Sequence, residues 1–186
     1  MLSGKQLRSV GIGMILVLVG IGLGGTAEFA FRFNRKSFIE DQRRRAEENI
    51  EVFQVEGQPI TSANRRIEEA LDVSWELIGE FHREMAWRSM GAVALLLLLC
   101  QLKGPNGLKQ VVGTAIGLGA AFHPMSWLFA AHQVAEKGVD EAMRWVRPMA
   151  TVTQACFMLG VIGVLLFVIA NLFRRDKKKV RFAAEE

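Results

Sequence analysis

Three histidines and two charged groups carry most of the chemistry this chain can offer. His82, His123 and His132 are its only imidazoles, and Glu28 and Arg88 stand at the edges of long apolar runs. Imidazoles on neighbouring membrane helices are a common way to hold haem, whose iron takes an axial nitrogen ligand. The alternative for each histidine is an interfacial or hydrogen-bonded residue with no ligand. An ionisable group at membrane depth is costly unless paired, so Glu28 and Arg88 are expected to form an ion pair. His123 precedes Pro124, whose missing amide frees a carbonyl that the imidazole could satisfy locally. Other chemistries have no residues to work with. Tyrosine is absent, and there is no phosphate-binding glycine loop, dinucleotide fingerprint or nucleophile elbow. Cys100 and Cys156 form no Cys-x-x-Cys or zinc spacing.

These residues need elements to place them, and the apolar pattern supplies membrane helices. The chain has 186 residues, 51% of them hydrophobic, and a mean hydropathy of +0.22. Its apolar residues sit in runs without formal charge, as a hydrocarbon solvent demands. The expected spans are 9–31, 86–102, 110–132 and 148–173, which makes the fold an all-α, four-helix transmembrane bundle. The second is short: Ser89 to Leu102 is the uncharged part, and it must borrow Met85-Ala-Trp-Arg88 to cross. The first run has no small-x-small cleavage site before Glu28 and reads as an uncleaved helix. With four spans, Cys100 and Cys156 lie toward opposite sides, which excludes a disulfide between them. His82, His132, Glu28 and Arg88 fall at one face of the bundle. His123 lies about 13 Å deeper. Trp87, Trp127 and Trp145 suit an aromatic belt at that face. Gly20–Gly24 and Gly113–Gly117 both fit G-x-x-x-G, a spacing that lets helix backbones approach within a bundle or between copies.

Between the first two spans, residues 34–85 read as an extramembrane helical hairpin. Ser37 and Glu40 fit a capping box that would start its first arm. Ile39, Ala46, Ile50 and Phe53 form an apolar stripe there, with Arg43/Glu47 and Arg44/Glu48 as i,i+4 pairs. Gly57-Gln-Pro59 breaks the arm. The second arm begins near Asn64 and carries Ile67, Leu71, Ser74, Ile78, Phe81 and Met85 at heptad-like spacing. The hairpin is either a structural stalk or a docking surface for a partner subunit or a second copy. The net charge of +4 comes from the basic tail 174–186, which suits anionic lipid headgroups and argues against a nucleic-acid partner. Lys and Arg divide ten against thirteen between the two sides. The dense tail carries more weight than the long hairpin, so both termini are placed in the cytoplasm and the protein in the inner (plasma) membrane.

At His82 the layout resembles the styrene oxide isomerase family. A helix leads to a connection, a histidine opens the second span, the turn Lys103-Gly-Pro-Asn-Gly107 follows, and Trp127 lies in the third span. The resemblance covers span order rather than long identity. It implies a four-helix membrane protein with haem b ligated by His82. Arg88 replaces the family's asparagine, the active-site tyrosine has no counterpart, and the isomerase chemistry is therefore not carried over. The expected function is a multi-pass membrane subunit with a haem b or redox role. The rival is a non-catalytic scaffold or assembly subunit. A third class, a proton-coupled carrier, would use Glu28 and His123, and the chain shows no internal repeat to favour it.

Overall fold

Proline and glycine mark several of the helix boundaries in this chain: Pro59 and Pro105 precede helices, and Gly138 ends one. The computed structural model describes residues 7–54 and 59–183, excepting the side chains of Glu28, Ala30, Arg32 and residues 174–183. The basic character of the tail 174–186 therefore lies outside the described residues. Among those described there are four long helices and no strand. Helix α1 spans Gly11–Glu48 and is broken only at Asn34, which leaves helical geometry (φ −115°, ψ 20°). A 3-10 turn at Ile50–Val52 follows. Helix α2 spans Ile60–Gln101 and starts directly after Pro59. Helix α3 spans Asn106–Lys137, starting after Pro105. Helix α4 spans Val139–Ala183.

Three boundaries differ from the sequence expectation. Ser37 does not start a helix: α1 runs through it, because continuing the backbone ladder satisfies more amides than one capping side chain can. The second arm starts at Ile60 rather than near Asn64, since a helix can begin immediately after proline. The connection between the expected spans 110–132 and 148–173 is helical except at Gly138. The positive φ of Gly138, 74°, ends α3, with its N–H bonded to Val134 O at 2.9 Å. Few residues other than glycine adopt that geometry without strain. Pro148, expected at the start of a span, lies inside α4.

Two apolar clusters stack along the bundle. The lower one joins Val10, Val17, Leu96, Leu99, Ile116 and Val164. Here the backbones nearly touch. A methyl on Gly13 would lie 2.1 Å from Gly113 O, one on Gly117 2.7 Å from Gly13 O, and one on Gly119 2.4 Å from Phe157. Gly20 faces Ala121 and Gly24 faces Met85. Both G-x-x-x-G segments are thus used inside the chain. The turn after α2 is clamped by Asn171, which accepts from Lys103 N at 2.8 Å and donates to Lys103 O at 2.9 Å. Lys109, buried, donates to Cys100 O at 3.4 Å, one of the carbonyls left open at the end of α2. Both cysteines are free.

The upper cluster is the cap. It joins Ala46, Phe53, Ile67, Leu71 and Ile78 of the hairpin to Ala130, Ala131, Val134, Ala142 and Val146. The hairpin is no free stalk, because the ends of α3 and α4 complete it as a four-helix layer. The whole heptad seam, Ile67 through Met85, is buried. Ser74 Oγ donates to Ala131 O at 2.8 Å inside this layer. Outside it, Arg43 pairs with Glu68 across the hairpin, Arg45 reaches Glu136 of α3 at 3.1 Å, and Arg44 takes Glu48 at 2.9 Å. Arg43 thus prefers the neighbouring arm to Glu47.

Candidate functional site

Between the two clusters lies a polar layer built from α2, α3 and α4. Arg88 donates through Nε to Glu84 Oε2 at 2.7 Å and through Nη1 to Gln154 Oε1 at 2.8 Å. The same Glu84 Oε2 lies 3.4 Å from His123 Nε2. The other imidazole nitrogen, Nδ1, lies 3.0 Å from Ala150 O on α4. Thr153 Oγ1 stands 3.4 Å from that nitrogen and donates to Met149 O at 2.8 Å. The guanidinium carbon of Arg88 also sits 5.5 Å from the centre of the Phe157 ring. The layer is largely sheltered: the side chains of His123, Arg88 and Glu84 are 10, 17 and 26% exposed.

Helix geometry explains how these groups meet. Glu84 and Arg88 are four residues apart, so they share one face of α2. The contacts of Gly119 with Phe157 and of Gly160 with Ile116 set α3 and α4 antiparallel and bring 123 level with 150–154. Met85 against Gly20 and Gly24 sets the height of α2.

The expected site residues divide into two groups. His123 and Arg88 belong to the polar layer. Arg88 is bonded to Glu84 and Gln154, while the side chain of Glu28 lies outside the described residues. His123 does not turn to a carbonyl of its own helix but reaches across to α4. Ser126 Oγ takes the His123 carbonyl at 2.6 Å. His82 and His132 belong to a separate aromatic cluster. The Phe31 ring packs against both, at 6.4 Å from His82 and 6.3 Å from His132 between ring centres. Phe38 adds a 5.5 Å edge contact to His132, and Phe81 lies 5.1 Å from His82. Trp127 meets His123 edge-on at 6.5 Å between ring centres.

Glu84 and Gln154 were missed at the sequence level. Glu84 had a signal, its i,i+4 spacing to Arg88, but it fell within the segment assigned to the hairpin. Gln154 is one of two amides in the otherwise apolar 148–173 run, the other being Asn171, and both turn out to hold a neighbouring helix or turn.

Among the described residues, no three His, Cys, Asp or Glu side chains come together to hold a metal ion. Two concavities stand out, and no histidine lines either. One, of about 570 Å³, lies at the cap tip among Phe53, Arg66, Glu69, Lys137 and Arg144. The other lies on the outside of α1 among Arg35, Ile39 and Arg43. Chemically, the polar layer can hold charge and a proton inside the bundle. No protein family, curated protein or solved structure matches the chain.

Proposed function

We propose that all four helices cross a bilayer and that the protein serves there as a non-catalytic membrane subunit. Helix α3 and residues Val139–Phe173 of α4 are long and apolar enough to span, and Gly11–Ala27 of α1 is a shorter apolar stretch. The observation that carries the reading is the outer surface of the lower bundle. Ile12, Ile15 and Leu18 of α1, Met90 and Leu98 of α2, Val111 of α3, and Leu159, Leu166 and Leu172 of α4 are all exposed. Only 17% of the apolar window of α4 is buried. Water does not tolerate so broad an apolar surface, whereas lipid or a partner helix covers it at no cost.

The polar layer supports this reading for α2, the weakest of the four. Residues 89–102 rise only about 21 Å, short of a hydrocarbon core of about 30 Å. Because Glu84 and Arg88 turn inward and pair, residues 84–102 can face lipid over roughly 28 Å. Trp87 and Trp145, both exposed, suit the boundary at that end. The rest of the placement is an inner membrane, with both termini cytoplasmic and the tail on anionic headgroups. Phe29 and Phe33 pack in a tilted pair at 4.6 Å between ring centres and stay exposed at the base of the hairpin, a ready surface for a partner helix.

Single cysteines placed at 106 and 140 in a chain lacking Cys100 and Cys156 test the topology. Labelling of the two from opposite sides of intact vesicles is expected. Labelling of both from one side sinks the reading.

A redox role keeps one observation in its favour, that His82 and His132 share the Phe31 ring. A haem b ligated by His82 would supply one-electron chemistry and would require that ring to move aside. A Soret band in the purified protein, lost in His82→Ala, would favour it, and a colourless protein favours the subunit.

A further inference from the structure

The polar layer sets two acceptors around one imidazole. Both nitrogens of the His123 ring face acceptors. Nδ1 faces Ala150 O at 3.0 Å, and a carbonyl can only accept, so Nδ1 must carry hydrogen. Thr153 cannot reverse this, since its one hydroxyl hydrogen is directed to backbone carbonyls at 2.8 and 3.2 Å. Nε2 faces Glu84 Oε2 at 3.4 Å, again an acceptor when ionised. A neutral imidazole has one N–H and can serve one of these partners, leaving a lone pair against an oxygen at the other.

We propose that Glu84 and His123 form a proton-binding site in the bundle, in which one exchangeable proton sits on His123 Nε2 facing Glu84 Oε2. The proton rests on the ring rather than on the carboxylate. Arg88 Nε already donates to the same oxygen at 2.7 Å, so that oxygen is already engaged as an acceptor. With the proton bound, the imidazolium joins α3 to α2 through Glu84 and to α4 through Ala150. With it lost, one of the two links must break. Among the described residues, the charged groups acting on His123 are Arg88 and Glu84 of α2. Helix α4 faces it with the neutral Thr153 and, through Arg88, Gln154. The site does not depend on how many helices cross the membrane.

Nitrogen-15 NMR of ring-labelled full-length protein in lipid vesicles tests it, with His123 identified by the signals lost in His123→Asn. Between about pH 5 and pH 9, where histidines titrate, His123 is expected to show two protonated nitrogens at the acid end and to lose one as pH rises. Glu84→Gln is expected to weaken proton binding at least about tenfold, the effect of removing an adjacent carboxylate. A single neutral form at every pH overturns the proposal, and so does an unchanged midpoint in a folded Glu84→Gln protein. If that variant does not fold, the wild-type titration decides alone.

Discussion

In the cap, Ile67, Leu71 and Ile78 bury branched side chains against small alanines of α3. Lower in the bundle, Gly13 of α1 and Gly113 and Gly117 of α3 bring two backbones into contact. The outer surfaces differ in the same sense: cap positions carry Arg43–Glu68 and Arg45–Glu136 pairs, while the lower bundle exposes leucines and isoleucines. One chain therefore uses two packing rules. Where water is the solvent, large apolar side chains drive association by leaving it. Where hydrocarbon is the solvent, burial of a leucine gains little, and close approach of small residues takes over.

Six substitutions sharpen or break this contrast. The largest loss is expected from Ile78→Ala in the cap, about 2–5 kcal/mol from lost transfer and cavity together. Leu96→Ala in the lower cluster removes a side chain equally buried but should cost clearly less if the lower bundle lies in lipid, where the transfer term is small. Equal losses in thermal unfolding in detergent would erase the distinction. Next comes Leu159→Asp on the exposed face of α4, about 2.5–3.5 kcal/mol against insertion if lipid lies there. Normal membrane yield from that variant would mean a wet or partnered surface.

Gly13→Ala should cost about 1–3 kcal/mol by forcing two backbones apart, while Gly22→Ala, which meets nothing within 4 Å, should be neutral or slightly stabilising. The same unfolding assay compares the two. Arg45→Ala should lose no more than about 1 kcal/mol, as a half-exposed pair does.

The smallest effect is that of acid on the cap. The hydrogen bond from Arg44 holds the Asp41 carboxyl below its ordinary value of 3.8, partial burial opposes this, and Arg45 adds to it. A carboxyl so depressed stabilises the fold above its ordinary range and loses that contribution as pH falls through the lower folded value. Amide exchange in the first arm should therefore quicken below that range, with the glycine contacts lower down unaffected.

Much of the architecture was readable in advance because it follows from period and composition. The heptad seam from Ile67 to Met85, the apolar stripe through Ala46 and Phe53, and the uncharged runs in α3 and α4 each show in the residue pattern. Boundaries were less readable, since Ser37 and Pro148 carry end signals that helix continuity overrides. The candidate site was only half readable. His123 and Arg88 stood out as polar groups in apolar runs, but Glu84 looked like any acid on a wet helix.

From its amino acids alone, this chain settles that it is helical, that charged and apolar stretches alternate along it, and where the polar residues interrupt the apolar runs. Only the tertiary structure decides which of those residues meet. Pairing among helices depends on their relative height and rotation, and these are set by contacts such as Gly13 on Gly113 and Gly119 on Phe157, between positions far apart in the chain. That register adds Gln154 of α4 to the Glu84 that Arg88 already meets on its own helix, and it leaves His123 between two acceptors.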